Sequence, residues 1–209
     1  ENLLFRLPRW LSSPARAERS DSEDEAARTL RNLAVNAVVR RMLCDRKTDS
    51  GAPALAAFLS GGFDSSSVAA ILQDNMPDGA RLETYSIGFE GSPDLQMASL
   101  VAEYIGSDHH EYIVTEHEAL SFITTVICQF ETYDPTTIRA GVFMTMLALY
   151  MRRHSKAVAF LSGEGMDEAS GSYMYFHNAP DEKEFHEECL RLERSEERRV
   201  GKECLRLCR

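Results

Sequence analysis

The sequence predicts an α/β fold, a doubly wound parallel sheet of about four to five strands with helices on both faces. Short apolar runs of strand length alternate with longer segments whose apolar residues recur at helical spacing, and the alternation occurs four times. Two of the strand-like runs end in the same way, in Ser-Gly followed by acidic residues. Ligands in such sheets bind beyond the carboxyl ends of the strands, which is where these loops are expected.

The first strand and the turn after it form the most informative stretch. An apolar run at 55–59 stops at Ser60-Gly61-Gly62, and Phe63 to Ser67 open a segment with helical spacing. Adjacent glycines let an anion approach the backbone, and a helix start favours negative charge. The loop has no Lys after its glycines but carries Asp64, which fits Mg²⁺ between a carboxylate and a phosphate. The alternative is an ordinary strand-to-helix turn with Asp64 as its N-cap.

The segment before this strand is divided by composition. Residues 1–25 read as a linker or the end of a preceding domain, since Ser, Arg, Asp and Glu dominate its second half. Ser22 and Glu25 resemble a capping box. Apolar residues between Ala26 and Met42 then recur at helical spacing, so we expect an amphipathic helix that covers one face of the core. A polar loop at 45–53 leads into the first strand.

The remaining elements follow from apolar periodicity and turn residues. After a turn at Pro77-Asp78-Gly79, we expect strands at 82–89, 111–115 and 157–161, and helices at 93–105, 119–130 and 138–150, with a break at Asp134-Pro135. The last strand ends in the second glycine-acid loop, 162–168. If the first and fourth strands are neighbours, both loops face one crevice.

Composition limits the classes of function. At 209 residues the chain holds one sizeable core, and its net charge of −10 argues against a bulk-basic nucleic-acid binder. Its uncharged runs are too short to span a bilayer, so no membrane partner is expected. Five scattered cysteines without a CxxC pair argue against a zinc or redox site and favour a reducing, cytoplasmic location. Other chemistry-bearing side chains are read as structural: the histidines as surface or strand-end residues and Met144, Met146 and Met151 as core.

Four separated pieces of the chain agree in order and spacing with one family. They are LSGGFDSS at 59–66, SPDL at 92–95, ETYDPTTIRA at 131–140, and LSGEGMDE followed by YMYFHNAP at 161–180. From about Ala26 to about Leu190 the chain resembles the synthetase domain of glutamine-hydrolysing asparagine synthetase, in the ATP pyrophosphatase superfamily. The first motif is shared across that superfamily, and the second and third together are more specific.

The resemblance implies an adenine nucleotide alpha-hydrolase-like fold and a ligase that uses ATP and Mg²⁺. The aspartate side-chain carboxylate attacks the α-phosphate, pyrophosphate leaves, and ammonia converts β-aspartyl-AMP to asparagine and AMP. The nitrogen comes from glutamine, through a separate glutaminase domain, or from free ammonia. Small-molecule substrates and a homodimer of the intact protein are the other partners that the resemblance implies.

Matching positions carry the family's roles onto this sequence. Asp64 and Asp167 are the expected Mg²⁺ ligands. Glu164 is expected to assist adenylate formation and to manage protons on the attacking ammonia, and Thr136 and Arg139 match positions linked to the intermediate. The expected nucleotide and pyrophosphate contacts are Phe58, Ser60, Gly61, Gly62, Asp64, Ser65, Ser66, Ile87, Ser162 and Gly163.

The sequence also departs from the family. It lacks the glutaminase domain with its N-terminal Cys, and a downstream Lys that contacts phosphate has no counterpart. We therefore expect residues 26–192 to be a C-terminally truncated synthetase domain, followed at 193–209 by a highly charged tail that does not resemble the family and reads as an artefact. Two alternatives stay open: another amide-forming, adenylating relative such as a β-lactam synthetase-like cyclase, or a nucleotide-binding remnant without catalysis.

Overall fold

A computed structural model of the protein describes residues 23–42, 54–165, 176 and 178–192, and the statements below concern these residues. Three predictions from the sequence lie outside them in whole or in large part: the linker before the first helix with its Ser22 cap, the polar loop at 45–53, and the tail at 193–209. The predicted metal ligand Asp167 also lies outside the described residues.

Four parallel strands form the sheet, which confirms the predicted architecture. They are β1 (Leu55–Phe58), β2 (Glu83–Gly88), β3 (Asp108–Ile113) and β4 (Ala159–Leu161), in the order β3-β2-β1-β4. β1 pairs with β4, with Ala56 opposite Phe160. The first and fourth strands are therefore neighbours, as the shared-crevice prediction requires, and the strand order reverses beside β1.

Helices cover both faces of this sheet. They are α1 (Glu23–Arg41), α2 (Phe63–Asp74), α3 (Pro93–Ile105), α4 (Glu116–Phe130) and α5 (Pro135–His154). A further helix, α6, lies at 182–192. The predicted Pro77 turn closes with a hydrogen bond from Ala80 N to Pro77 O at 2.9 Å. The predicted Asp134 break is the N-cap of α5, where the side chain accepts from Thr137 N at 2.8 Å.

The core divides between the two faces of the sheet. On one face, buried residues of β1 pack against α1, α2 and α3, and the group is Val38, Met42, Leu55, Ala57, Leu59, Val68, Ala69, Leu72, Leu82, Ala98, Ala102 and Leu161. On the other face, Ala56 and Tyr85 pack against Leu147 and Met151 of α5. A third cluster, built around Val126 and Val142, joins α4 to α5. Alternate residues of β1 and β2 thus serve opposite layers.

Some predicted burial is wrong. Leu30 in the first half of α1 is 70% exposed, because the core is reached only by the end of that helix, with Val38, and by Met42 directly after it. Leu100 and Tyr104 of α3 also face outward, and Ala98 and Ala102 take the buried positions. In both helices, the apolar residues therefore cover a wider face than the face that is buried.

Strand β3 begins three residues before its predicted start at Glu111. His109 and His110 consequently lie within the strand rather than at its end, and the His109 side chain is only 10% exposed. The interpretation as a surface or strand-end residue is therefore wrong for His109, whereas the His110 side chain is 39% exposed, as a surface residue should be. No helix of the described part combines the length and apolarity that crossing a membrane requires.

Candidate active site

The two glycine-acid loops lie against each other at the carboxyl ends of β1 and β4. A Cβ on Gly163 would lie 2.6 Å from Ser65 N and 2.7 Å from the carbonyl carbon of Asp64. The backbone of residue 163 therefore lies directly against the backbone of residues 64 and 65, and any side chain at residue 163 would force the loops apart. The sequence-predicted crevice is thus built by direct contact of Gly163 with the first turn of α2.

Serine hydroxyls fix the shape of the first loop. Ser65 Oγ accepts a hydrogen bond from Ser60 N at 3.1 Å and lies 2.9 Å from Ser60 Oγ. Ser60 Oγ also accepts from Gly62 N at 3.4 Å, which closes the turn over the glycines. In the second loop, Glu164 N donates to Ser162 Oγ at 3.1 Å. Both turns are therefore held by their own serines before any ligand arrives.

Gly61 ties this loop to the next helix. Its φ of +79° lies in the left-handed region, and a Cβ there would be 2.6 Å from Met97 Cβ and 2.7 Å from Ala98 N. Glycine is required at this position for two independent reasons, backbone conformation and space. The contact places the glycine turn that precedes α2 against the second turn of α3.

The N-termini of two helices lie beside one region, because first-turn residues of α2 and of α3 line the same cavity. Gly62 caps α2 and Ser92 caps α3, and neither supplies a side-chain cap hydrogen bond. In both helices an aspartate, Asp64 or Asp94, follows the first helical residue. Asp64 is thus not the N-cap that the alternative interpretation required. Paired helix starts without side-chain caps favour an anionic ligand.

A cavity of about 300 Å³ opens between these elements. Of the predicted site residues, eight line it, seven predicted contacts and the predicted catalytic glutamate: Phe58, Ser60, Asp64, Ser65, Ile87, Ser162, Gly163 and Glu164. One end is apolar, with Phe58 and Ile87 from the sheet facing Met144 and Leu147 from α5. The other end holds the two glycine-acid loops. A ligand with a flat apolar part and an anionic part matches this division.

Other predicted site residues lie away from the cavity wall. Gly61 packs against α3 and Gly62 is the N-cap of α2. The hydroxyl of Ser66 is buried and has no hydrogen-bond partner within the described part of the chain. Thr136 and Arg139 lie in the first two turns of α5, both exposed, and neither lines the cavity. The described structure brings the loop residues together and leaves these two apart.

Several residues at the cavity are missed or misread by sequence reasoning. Asp94 belongs to the SPDL motif, which is recognisable without giving its carboxylate a role. Met144 is predicted as core, but it is 40% exposed and lines the cavity, whereas Met146 and Met151 are buried as predicted. Tyr85, Ser86 and Leu147 also line it. Its position could have signalled Ser86, since it lies near the carboxyl end of β2, at the edge of the sheet where ligands bind.

Carboxylates dominate the charge of the cavity. Asp64, Asp94 and Glu164 line it, and the described lining residues include no Lys or Arg. Within the described residues no three His, Cys, Asp or Glu side chains come close enough together to form a metal centre on their own. Mg²⁺ is usually held by one or two carboxylates together with ligand phosphates, so the donor set fits a Mg²⁺ that arrives with a phosphate ligand.

Burial keeps Tyr85 neutral at the floor of the cavity. Burial raises the pKa of Tyr85 from 10.0 to about 12; a hydrogen bond with Ser155 opposes this rise, and the hydrogen bond that the Tyr85 hydroxyl donates to Glu83 Oε2 at 2.9 Å adds to it. The ring stacks on His110 at a centroid distance of 4.8 Å. Tyr85 is therefore a rigid part of the wall rather than a titrating group near neutral pH.

Comparison with known proteins bears on this site. The family model for asparagine synthase matches residues 29–208. Asparagine synthetase [glutamine-hydrolyzing] of Rattus norvegicus is 42% identical over 166 residues, which are 78% of this chain and 28% of that protein. Asparagine synthetase [glutamine-hydrolyzing] 2 of Arabidopsis thaliana is 39% identical over 192 residues, covering 88% of this chain and 32% of that protein.

A solved structure, NMN synthetase from Francisella tularensis, is similar over 68% of this chain and 58% of its own, with a TM-score of 0.45 and 15% identity. The chain spans about 28% of the length of the first of these curated relatives. The matched range of the family model includes residues 193–208, where the sequence motifs predict no family resemblance; the origin of that segment stays a prediction.

Proposed function

Because the chain belongs to the asparagine synthase family, we propose that its cavity binds ATP and that the chain forms the ATP-pyrophosphatase part of an asparagine-forming ligase. The observation that carries this proposal is the contact of Gly163 with the backbone of Asp64 and Ser65. It puts both glycine-acid loops on one cavity, at the point where the strand order reverses.

The proposed reaction has two steps. An oxygen of the aspartate side-chain carboxylate attacks the α-phosphorus of ATP, the bond from that phosphorus to the bridging oxygen breaks, and pyrophosphate leaves. Ammonia, released from glutamine or taken free, then attacks the acyl carbon of β-aspartyl-AMP. The new C–N bond replaces the C–O bond to AMP, and the nitrogen loses a proton. The products are asparagine, AMP and pyrophosphate.

The chain's own residues divide the work along the cavity. Phe58 and Ile87 bind the flat base against α5. Ser60, Ser65 and the amides at the start of α2 bind the leaving pyrophosphate, whose negative charge the helix start favours. The hydroxyl bonds between Ser60 and Ser65 preorganise that loop, so little reorganisation is needed when charge develops.

Mg²⁺ is the cofactor that the carboxylate-rich wall favours. Asp64 on the cavity wall is the proposed ligand within the described residues, and Asp167 is the proposed second ligand. When bound, Mg²⁺ neutralises charge on the phosphates and polarises them toward attack. Without a cation, the three carboxylates that line the cavity would repel a polyphosphate.

Glu164 is proposed to act on protons. It lies on the cavity wall in the turn after Gly163, where its carboxylate can receive a proton from the attacking ammonia. Thr136 and Arg139 are proposed to meet the intermediate from α5, although in this structure they lie outside the cavity wall. The cytoplasmic location is a proposal supported by the free thiol of Cys128. The glutaminase partner and the homodimer also stay predictions.

Aspartate-dependent exchange of labelled pyrophosphate into ATP tests the proposal on the full chain. We expect exchange that requires both aspartate and Mg²⁺, and a loss of about a hundredfold or more in Asp64→Asn, since one preorganised electrostatic contact has that magnitude. Asp78→Asn, in a distant exposed turn, is the matched control. Exchange supported by a different carboxylic acid and not by aspartate would identify another amide-forming relative. ATP binding without any exchange would identify a nucleotide-binding remnant.

A further inference from the structure

A buried polar chain runs from the turn before β3 to the wall of the cavity. Thr84 Oγ1 lies 2.9 Å from Ser107 Oγ and 3.0 Å from His109 Nδ1. The other ring nitrogen, His109 Nε2, lies 3.2 Å from Ser86 Oγ. Thr84, Ser86 and Ser107 are all buried, and these polar groups satisfy one another where water has little access.

The direction of these hydrogen bonds follows from their first acceptor. The carbonyl of Ala102 can only accept, and Ser107 Oγ donates to it at 3.5 Å. Thr84 then donates to Ser107, and His109 Nδ1–H donates to Thr84. His109 Nε2 is left as an acceptor, so Ser86 donates its hydroxyl proton to the ring. A neutral imidazole with its proton on Nδ1 satisfies every member of the chain.

The surroundings of His109 favour this neutral form. Burial lowers the pKa of His109 from its ordinary 6.5, and the charge of His110 lowers it further, whereas Glu111 and a backbone hydrogen bond to Thr84 raise it. Glu111 Oε1 lies 4.0 Å from Nε2 and accepts a hydrogen bond from Ser99 of α3 at 2.7 Å. Arg81, Glu103 and Asp108 share an open surface groove with His109.

Ser86 is where the polar chain meets the cavity. It lines the cavity wall between Tyr85 and Ile87, at the carboxyl end of β2. Its side chain is on the α3 face of the sheet, opposite the face on which Tyr85 packs against α5. Within the described residues, the hydroxyl of Ser86 has one hydrogen bond, to His109. This bond fixes the cavity wall at Ser86 from the α3 side of the sheet.

We propose that His109 is a positioning residue of the nucleotide cavity, which acts by accepting the hydroxyl proton of Ser86 and so holds the end of β2 in its ligand-binding geometry. This role rests on the proposed function, because it concerns the same cavity. This positioning role differs from a general structural role because it depends on one ring nitrogen. The hydrogen bond of Nε2 to Ser86 affects ligand binding, whereas the hydrogen bond of Nδ1 to Thr84 affects only the buried polar chain.

Two conservative variants separate these sides of the ring. The amide of His109→Gln reaches approximately as far as Nε2 and can accept from Ser86, whereas the shorter amide of His109→Asn reaches approximately as far as Nδ1 and can contact only Thr84. We expect Mg·ATP affinity within about twofold of wild type for the Gln variant and a loss of about tenfold for the Asn variant, the usual size of one lost buried hydrogen bond. Ser86→Ala should resemble the Asn variant.

The test is calorimetric titration of the full chain and each variant with Mg·ATP, beside thermal melts that verify folding. Equal affinities for the folded Gln and Asn variants would overturn the positioning role. Failure of wild type to bind Mg·ATP would instead overturn the proposed function on which that role rests. Nitrogen-15 NMR of the histidines supplies a readout free of ATP: we expect the Nδ1–H tautomer for His109, and the opposite tautomer would overturn the inference.

Discussion

The two loops of the cavity can lie in contact because Gly163 has no side chain. A Cβ added at this residue would lie 2.6 Å from Ser65 N and 2.7 Å from the Asp64 carbonyl carbon, which is too close for either pair of atoms. Both of these are backbone atoms at the start of α2, so neither can move without the helix start moving as well. The geometry of the phosphate end of the cavity therefore depends on this residue.

We expect Gly163→Ala to weaken Mg·ATP binding by about tenfold or more, because the added methyl group displaces one loop from the other. The measurement is calorimetric titration of both chains. Gly79→Ala is the matched control, since Gly79 has a φ of +78° but a Cβ there would meet no atom within 4 Å, in a turn far from the cavity. That variant should lose stability from backbone strain and keep its affinity. Equal affinity in Gly163→Ala would contradict the packing argument.

The raised pKa of Tyr85 predicts that the stability of the chain changes at alkaline pH. Burial raises its pKa to about 12, so the unfolded chain, with a pKa near 10.0, releases this proton at lower pH than the folded chain. The free energy of unfolding should therefore fall as pH rises from 10.0 toward about 12. Denaturant unfolding across this range measures the fall, and Tyr85→Phe should reduce it. The same fall in both proteins would show that Tyr85 does not cause it.

Sequence motifs predict which loop residues line the cavity better than they predict which helix and strand residues form its walls. Asp64, Ser65, Gly163 and Glu164 are identifiable from local motifs, because the glycines and acids of each loop are adjacent in sequence. Met144 cannot be placed in this way: it reaches the cavity from α5, and its position depends on how that helix packs on the sheet.

At the scale of elements, periodicity predicts the order of strands and helices, and tertiary contacts decide their ends. β3 begins early because Asp108 N donates to Leu82 O at 2.8 Å, which extends the pairing with β2. Arg81 holds the preceding turn through Nε to Gly106 O, at 3.0 Å, and Nη2 to Ser107 O, at 2.6 Å. These are contacts between separate segments, so no pattern within 108–115 could reveal them.

The contact of α4 with α5 depends on a glycine within a helix. Gly141 is buried in α5, and a Cβ there would lie 3.0 Å from Val126 Cγ1 and 3.1 Å from Phe130 Cδ2. Val126 is fully buried and β-branched, so its rotamer has little freedom. Close approach of the two helices therefore requires the missing side chain.

Gly141→Ala sets helix propensity against packing. Alanine favours the helix by about 1 kcal/mol, whereas overpacking a core costs about 1–3 kcal/mol. We expect packing to prevail, with a net loss of up to about 2 kcal/mol in the free energy of unfolding measured with denaturant. Ala140→Gly, at the exposed neighbouring position, calibrates the propensity of this helix. A more stable Gly141→Ala chain would mean that α4 yields to the added methyl group.

At the scale of the whole molecule, charge determines how an anionic ligand can bind. The chain carries a net charge of −10, and its cavity is lined by Asp64, Asp94 and Glu164. Long-range and local fields therefore both repel free ATP, and the two helix starts oppose this repulsion only at short range.

We accordingly expect Mg·ATP to bind at least about tenfold more tightly than ATP in the presence of a chelator, since each 1.4 kcal/mol of repulsion is about tenfold in affinity. Added monovalent salt should narrow the difference by screening the repulsion. Calorimetric titration with and without Mg²⁺ measures both effects. Asp94→Asn should bind free ATP more tightly than wild type does, and an unchanged or weaker affinity would contradict the repulsion argument.

The most direct test of the account is to map Mg·ATP on the full chain by backbone amide NMR. If the two glycine-acid loops form the nucleotide cavity, the largest shift changes will fall at 60–66, at 92–95 and at 162–165, and a chelator will reverse most of them. Absence of shift changes, or shift changes confined to the surface groove beside β3 and α3, would contradict it.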